Sequence, residues 1–423
     1  MQPSPLVQLE TETQTPVRER PWLFAFLIAP DAVISLGLVG GALTFLLRNE
    51  GVDPGRAASI SALIALPHAI YFLWGPITDF LVQRRTWLLI TAVAAAACVI
   101  LAFHQGRLSS TLGITLLFLC ACFGVLAPAA CGGMMGGLKS ELNRRRAGSF
   151  YQSGSLAIGA FALFLVVTYS SRLSLSSLGF LIAFMIALPA LFALAAPSQP
   201  VVAGNSARET VFRIFGEIKS TFLRWEAIPY SLLIVFPMGS GAMIGLMGEL
   251  ARDYSVSGQQ VAWVNGIGGA LLTTAGALCV SLIPVRIRAP IAYLLAGLAN
   301  AAVMVFLAVA PIRPATYFAA VVVNLFTIGA SYALFTGVSL EFLGGSGKSG
   351  STRYSLINSL GNIPVVYMTW LDGRGYALWG PRGMPAVDAV LSILGASLLL
   401  AHFLVSRSRK TAALRREQAS SAP

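Results

Sequence analysis

The sequence predicts an all-α polytopic membrane protein with twelve transmembrane helices in two six-helix pseudo-repeats. Three observations carry that expectation. Hydrophobic residues make up 56% of the 423-residue chain and charged residues only 11%, whereas about a quarter of a soluble domain is charged. The apolar residues gather in long runs separated by polar connections that hold most of the Arg and Lys. One connection near the middle is longer than the rest and divides the runs six and six. The net charge of +12 does not point to nucleic acid, because the basic residues lie between apolar runs instead of forming one patch.

Taken in order, the spans cover 22–47, 57–81, 87–104, 111–138, 150–170, 175–196, 227–250, 259–284, 289–311, 315–342, 352–371 and 384–405. Such runs suit a hydrocarbon core about 30 Å thick. Residues 1–21 form a polar tail with Arg18, Glu19 and Arg20 and no cleavable-signal pattern, so the first span is expected to remain. Residues 22–196 make the N-terminal bundle, 227–405 the C-terminal bundle, and 406–423 a second polar tail. The connection 197–226 opens with a flexible stretch. It continues into a segment whose Val211, Phe212, Ile214, Phe215 and Ile218 share one helical face. This predicts an amphipathic helix on the inner membrane surface, which a simple tether between halves would also accommodate. Allotting the loops alternately from a cytoplasmic N-terminus puts 21 of the 29 Lys and Arg on one side. The positive-inside rule then places both termini in the cytoplasm, across a bacterial-type inner membrane. All five cysteines fall inside spans as small packing residues, and neither a disulfide, a metal nor a cofactor is expected. The expected state is a monomer in the lipid bilayer.

The chemistry begins with Asp31, roughly 14 Å into the first span by helical rise. A lone carboxylate at that depth costs at least a few kcal/mol unless it is paired, hydrated or protonated. Two readings stand. Asp31 is a coupling acid that gains and loses a proton as the site faces alternate sides, or a structural acid bonded to a neighbour or capping a helix broken at Pro30. His68, after Pro67, either shares that proton or packs as a hydrogen-bonded histidine. Other polar residues inside spans are Tyr151, Gln152 and Ser155 in the fifth, Tyr230 and Ser240 in the seventh, and Asn265 in the eighth. Asn324 and Tyr332 follow in the tenth, and Tyr354 and Asn358 in the eleventh. Polar groups facing lipid are costly, so these face protein or water, as substrate contacts or as interhelical glue. Asp388 and Glu249 lie near the outer surface, expected to be solvated or paired with Arg382 and Arg252.

The second span ends Tyr71-Phe72-Leu73-Trp74-Gly75-Pro76-Ile77-Thr78-Asp79, followed by Arg84-Arg85-Thr86-Trp87. An acid at a helix end beside a basic turn can pair across the cytoplasmic gate and lock one conformation. That makes Asp79, Arg84 and Arg85 gating candidates, the plain alternative being a loop that only fixes orientation. The halves also repeat weakly, Tyr151 and Tyr354 opening similar runs about half the chain apart.

These features resemble the major facilitator superfamily, and within it the peptide, acetyl-coenzyme A and drug uptake branch that includes muropeptide permeases. The run Ser351 to Leu360 is similar to the one opening helix 11 in those permeases. The wording departs from the general gating motif where Phe80 replaces a basic residue and Val82 a glycine. It departs further in the fourth span, where glycines occupy both positions of an acidic pair within Cys131 to Gly137. The pairs Gly132/Gly136 and Gly133/Gly137 instead predict close helix packing.

The resemblance implies a secondary-active transporter, not an enzyme, working by alternating access with substrate near the midplane between the halves. The fifth, eighth and eleventh spans commonly border that site, which favours Gln152, Asn265 and Asn358, with Tyr151, Asn324, Tyr332 and Tyr354 completing the substrate set. Proton-coupled import of a small to medium organic solute is expected, the candidates being muropeptide-like, siderophore or acyl-coenzyme A compounds. Rival classes are a non-transporting receptor or assembly subunit and a membrane-embedded transferase, though no catalytic cluster is visible for the last. Gly347-Lys348-Ser349 is not a phosphate-binding loop, because Phe342 stands where that loop needs glycine.

Overall fold

Backbone in hydrocarbon must satisfy its own hydrogen bonds, and long apolar runs do so as helices. In the computed structural model, which describes residues 19–196, 216, 228–236, 238, 242–343 and 350–420, twelve such helices follow one another. They are α1 (Pro21–Asn49), α2 (Pro54–Ile70), α3 (Arg84–His104), α4 (Thr111–Gly136), α5 (Glu141–Tyr169) and α6 (Leu175–Ala195). The second half comprises α7 (Ile228–Val235 and Ala242–Leu250), α8 (Gln259–Leu282), α9 (Ala289–Val309), α10 (Pro314–Leu343), α11 (Gly350–Gly361 and Ile363–Trp379) and α12 (Gly383–Ser420). Among the described residues nine segments are long and apolar enough to cross a membrane, the last containing both α11 and α12. The interrupted α2 and α7 complete the set. The expected linker helix and the Gly347-Lys348-Ser349 turn lie outside the described residues.

Four boundaries differ from the sequence expectation, each for a local reason. The α-helical part of α2 stops at Ile70, well before 81, because Gly75-Pro76 interrupts it. The chain continues in two 3₁₀ turns, Tyr71–Leu73 and Gly75–Asp79. Two tryptophans of the motif pin this turn: Trp74 Nε1 donates to the Cys122 carbonyl at 3.1 Å and Trp87 Nε1 to the Phe80 carbonyl at 2.8 Å. α5 starts at Glu141 and not 150, since the Ser140 hydroxyl caps it and its polar first turns stand outside the apolar run. α11 runs past 371 to Trp379, carrying Asp372 and Arg374 within the helix. α12 continues beyond 405 to Ser420, so the expected polar tail extends a helix.

Helices in lipid associate through close packing of small residues. An added Cβ at Gly154 would strike the backbone of Ala25, and one at Gly276 the carbonyl of Phe326, so α1 meets α5 and α8 meets α10 backbone to backbone. Immediately after Pro30-Asp31, α1 widens into a π-helical stretch over Val33–Ala42, a deformation common at functional positions. An even number of crossings returns both ends of the chain to one side, called here the terminal face.

Candidate functional site

Helices α1, α2, α4, α5 and α11 converge on Asp31. The Pro30 break and the widened turn hold its carboxyl toward α2, where Asp31 Oδ1 lies 3.2 Å from His68 Nε2 and Oδ2 accepts from the Ser35 hydroxyl at 3.4 Å. The side chains remain 12% and 23% exposed, so the pair is neither sealed nor solvated. Tyr71, Cys131, Tyr151 and Tyr354, all buried, stand within electrostatic reach of Asp31. The rings of Tyr151 and Tyr354 meet edge to face, 6.4 Å apart at 84°. The two residues that mark the internal repeat thus touch across the junction of the halves. The Tyr71 hydroxyl lies near Asn358, and that of Tyr354 near Tyr151 and Thr336, yet neither hydroxyl reaches hydrogen-bond geometry. A buried polar group left unsatisfied costs about 1–3 kcal/mol, which an incoming hydroxyl, amide or water would recover.

Toward the terminal face the halves are joined by a buried lock. The Asp79 side chain is fully buried and pairs with Arg84, whose Nη2 lies 2.6 Å and Nε 2.9 Å from Oδ1. Across the junction, the first turn of α11 donates to the same carboxylate: the Ser351 N–H at 3.3 Å, the Thr352 N–H at 3.1 Å and the Thr352 hydroxyl at 3.0 Å. A carboxylate from one half therefore caps the positive end of a helix from the other. Arg84 adds bonds to the Ser351 hydroxyl at 3.1 Å and the Gly133 carbonyl at 3.3 Å. Only glycine fits on α4 here, because a Cβ at Gly132 would overlap the Tyr354 ring and one at Gly133 would meet Ser351 and Arg84. Gly136 faces nothing closer than ordinary contact, so the expected small-residue packing is concentrated at Gly132 and Gly133. Arg85 is half-buried and stands outside the bonds that Asp79 makes in this conformation. The helix starts at Arg84, and its next residue points about 100° away.

Beside the lock, α5 is stitched to α8 and α10. Arg145 donates to the Pro284 carbonyl at 2.9 Å, Ser149 to the Ala277 carbonyl at 2.5 Å, and Gln152 to the Thr336 hydroxyl at 2.9 Å. Gln152 is thus engaged between the halves in this conformation. The remaining substrate candidates form a separate set inside the C-terminal half. Asn265 donates to the Tyr317 hydroxyl at 3.4 Å, Asn324 is fully buried with neither side-chain atom bonded, and Tyr332 lies beside Tyr293. Two outer acids were expected to be solvated or paired. Asp388 is instead 2% exposed and accepts from Ser392 at 3.4 Å with no arginine partner, since the extended α11 packs over it. The Glu249 side chain and Ser240 lie outside the described residues.

Sequence reasoning missed Tyr71, Ser351 and Thr352 as members of the site. A signal was present for the last two, since Ser and Thr at a helix start ask for an anion or cap.

No family model matches the sequence, and no curated protein matches it significantly. Solved structures share its fold. The human organic anion transporter MFSD10 (TETRAN) superposes with a TM-score of 0.69 at 15% identity, covering 91% of this chain and 100% of that one. The Escherichia coli fucose:proton symporter FucP gives 0.60 at 15% identity over 90% and 99% of the two chains. The proton:xylose symporter XylE gives 0.61 at 14% identity over 90% and 94%. The chain therefore has the fold of major facilitator transporters, a multi-pass all-helical membrane architecture.

Proposed function

We propose that the chain is a secondary-active carrier working by alternating access, in which residues 22–196 and 227–405 move as two bundles about a small to medium organic solute. Asp31 with His68 binds the proton whose gradient drives uptake. The observation that carries this reading is the Asp31–His68 hydrogen bond, partly exposed and set beside the unbonded hydroxyls of Tyr71 and Tyr354. A carboxylate paired with a neutral imidazole bears one negative charge, and one added proton neutralises the pair. Burying or exposing the pair then depends on whether the proton is bound, which is the condition for coupling a gradient to a conformational change.

The lock supports the same reading, because it closes the terminal face while leaving the pair partly exposed. On the positive-inside count the terminal face is the cytoplasmic one, so the side that the lock closes is the inner side; uptake is favoured by the resemblance to the peptide, acetyl-coenzyme A and drug uptake branch. The likeness to two proton symporters agrees with proton coupling. On substrate, among the described residues the cluster around Asp31 holds no Lys or Arg, and Arg84 and Arg145 are committed to Asp79 and the Pro284 carbonyl. A neutral or cationic solute, such as an uncharged siderophore, suits such a site better than a strongly anionic acyl-coenzyme A or a carboxylate-bearing muropeptide.

The test is counterflow in proteoliposomes with a panel of solutes, comparing wild type with Asp31→Asn. Asp31→Asn is expected to abolish gradient-driven uptake while retaining exchange. Unchanged gradient-driven uptake would remove Asp31 from the mechanism.

A further inference from the structure

Two carboxyl groups have no part in the site described above. Asp372 on α11 is 0% exposed and Asp388 on α12 is 2% exposed. By helical rise they sit about 10 Å and 8 Å from the helix ends at Trp379 and Gly383, inside the membrane and toward the face opposite the termini. Neither oxygen of Asp372 has a hydrogen-bond partner. Asp388 Oδ1 accepts only the 3.4 Å contact from Ser392. The helices that carry them, α11 and α12, pack against each other, and the two charges are close enough to interact.

Among the described side chains, the charged and titratable groups on the surrounding elements are occupied elsewhere. On α11, Arg374 stacks over Trp370 at 5.5 Å, Tyr367 donates to the Val235 carbonyl at 2.6 Å, and Tyr376 donates to Asp253 at 3.0 Å. Beyond α7, the Tyr254 hydroxyl donates to the Leu307 carbonyl at 3.1 Å. Arg382, in the turn between α11 and α12, is exposed and its charge bears on Tyr254. On α9, which packs against α12, Tyr293 lies beside Tyr332 and Tyr367. None of these gives Asp372 a donor or a counter-charge.

Two ionised carboxylates held together in a dry site combine desolvation with like-charge repulsion, and neither is offset here. A single proton removes one charge and with it both the repulsion and much of the desolvation cost. A metal cation would need a shell of several oxygens, and the described residues contain no group of three or more His, Cys, Asp or Glu able to hold one. We infer that Asp372 and Asp388 form a proton-binding pair within the C-terminal bundle, separate from Asp31 and His68. The backbone ties this pair to the lock. α11 is interrupted at Asn362 between the segment that Asp79 caps and the segment that carries Asp372, so one element bears both the gate contact and the proton site.

The test is infrared spectroscopy of the full-length protein in lipid nanodiscs, titrated from about pH 5 to pH 9 in water and in heavy water. Wild type is expected to show a deuterium-sensitive band of a protonated carboxyl that persists at neutral pH. Asp372→Asn and Asp388→Asn should each lose it, Asp31→Asn should keep it, and sodium should leave it unmoved. Asn has the shape of the neutral acid, so both variants should fold with the thermal midpoint of wild type. Should either fail to fold, Asp372→Glu retains a carboxyl and is expected to shift the band without abolishing it. A spectrum identical in wild type and both Asn variants would overturn the assignment, as would a band removed by sodium. Because the readout needs no substrate, its failure is distinct from a failure of the transport reading.

Discussion

The lock makes a quantitative prediction for Asp79→Asn. The Asp79–Arg84 pair lies within one half, so it survives when the halves part. Opening breaks the three bonds from the first turn of α11 to Asp79 and the Arg84 bond to Ser351. Asn placed with its oxygen toward Arg84 would set an amide NH₂ against the Thr352 N–H, removing an acceptor and the charge that favours the helix end. Hydrogen bonds to charged groups contribute about 1.5–3 kcal/mol and dipole contacts about 0.3–1 kcal/mol. Allowing for water that replaces them on opening, the closed form should lose about 2–3 kcal/mol, or about 30- to 150-fold in the closed-to-open ratio. Cys131 offers a native reporter, being fully buried next to Gly132 and the Tyr354 ring. With the other four cysteines replaced by alanine, a polar maleimide should label Cys131 faster in Asp79→Asn by that factor. Labelling within about threefold of the parent, with unfolding temperature unchanged, would refute the claim that this carboxylate holds the terminal face shut.

Other outcomes follow from the same geometry. Gly132→Ala sets a Cβ into the Tyr354 ring and should weaken the closed form by about 1–3 kcal/mol; combined with Tyr354→Ala, Cys131 labelling should return toward the parent rate, and simple additivity would count against direct contact. Glu341→Gln removes the partner of Arg288, which is 62% exposed despite a 2.6 Å contact; thermal stability should fall by less than about 1 kcal/mol, with Cys131 labelling unchanged. Leu81 holds a left-handed φ of 67° and is 76% exposed. Leu81→Gly should therefore stabilise the turn by up to about 1 kcal/mol, measured by thermal unfolding, and a loss of stability would show that its side chain contributes packing.

Much of this was legible in the sequence because membrane solvation leaves few options. Apolar run length gave the helices, and a mid-membrane acid stood out on cost alone. Boundaries set by polar residues were less legible. The eleventh span was ended at 371, one residue before Asp372, and that buried acid went unseen. The choice between Arg84 and Arg85 was likewise invisible, since it depends on which residue begins α3. Gln152 shows a different limit. Its polarity inside a span was apparent, but only the position of Thr336 decides that it bridges the halves in this conformation. The pairing of Tyr151 with Tyr354 was implicit in the repeat, because residues related by a pseudo-twofold axis meet if they lie close to it.

The two halves repeat in fold but not at the Asp79 lock, and the difference bears on how a carrier of the proposed kind would switch. In the N-terminal half, the turn between α2 and α3 presents a buried Asp79 that reaches across to α11. In the C-terminal half, the turn between α8 and α9 presents Arg288, which pairs with Glu341 at the end of α10 in the same half, largely exposed. Glu341 also accepts from the Ala289 N–H at 3.3 Å, so it caps α9 locally. The counterpart of the lock therefore stabilises its own bundle, and among the described residues its bonds stay within that half. Among the described residues, closure of the terminal face thus rests on one strong node at Asp79 and the stitching of α5, not on two symmetric latches. In the proposed mechanism a single node worth a few kcal/mol would be overcome by solute and proton binding of ordinary strength, whereas two such latches acting together would hold the terminal face shut beyond the reach of either ligand.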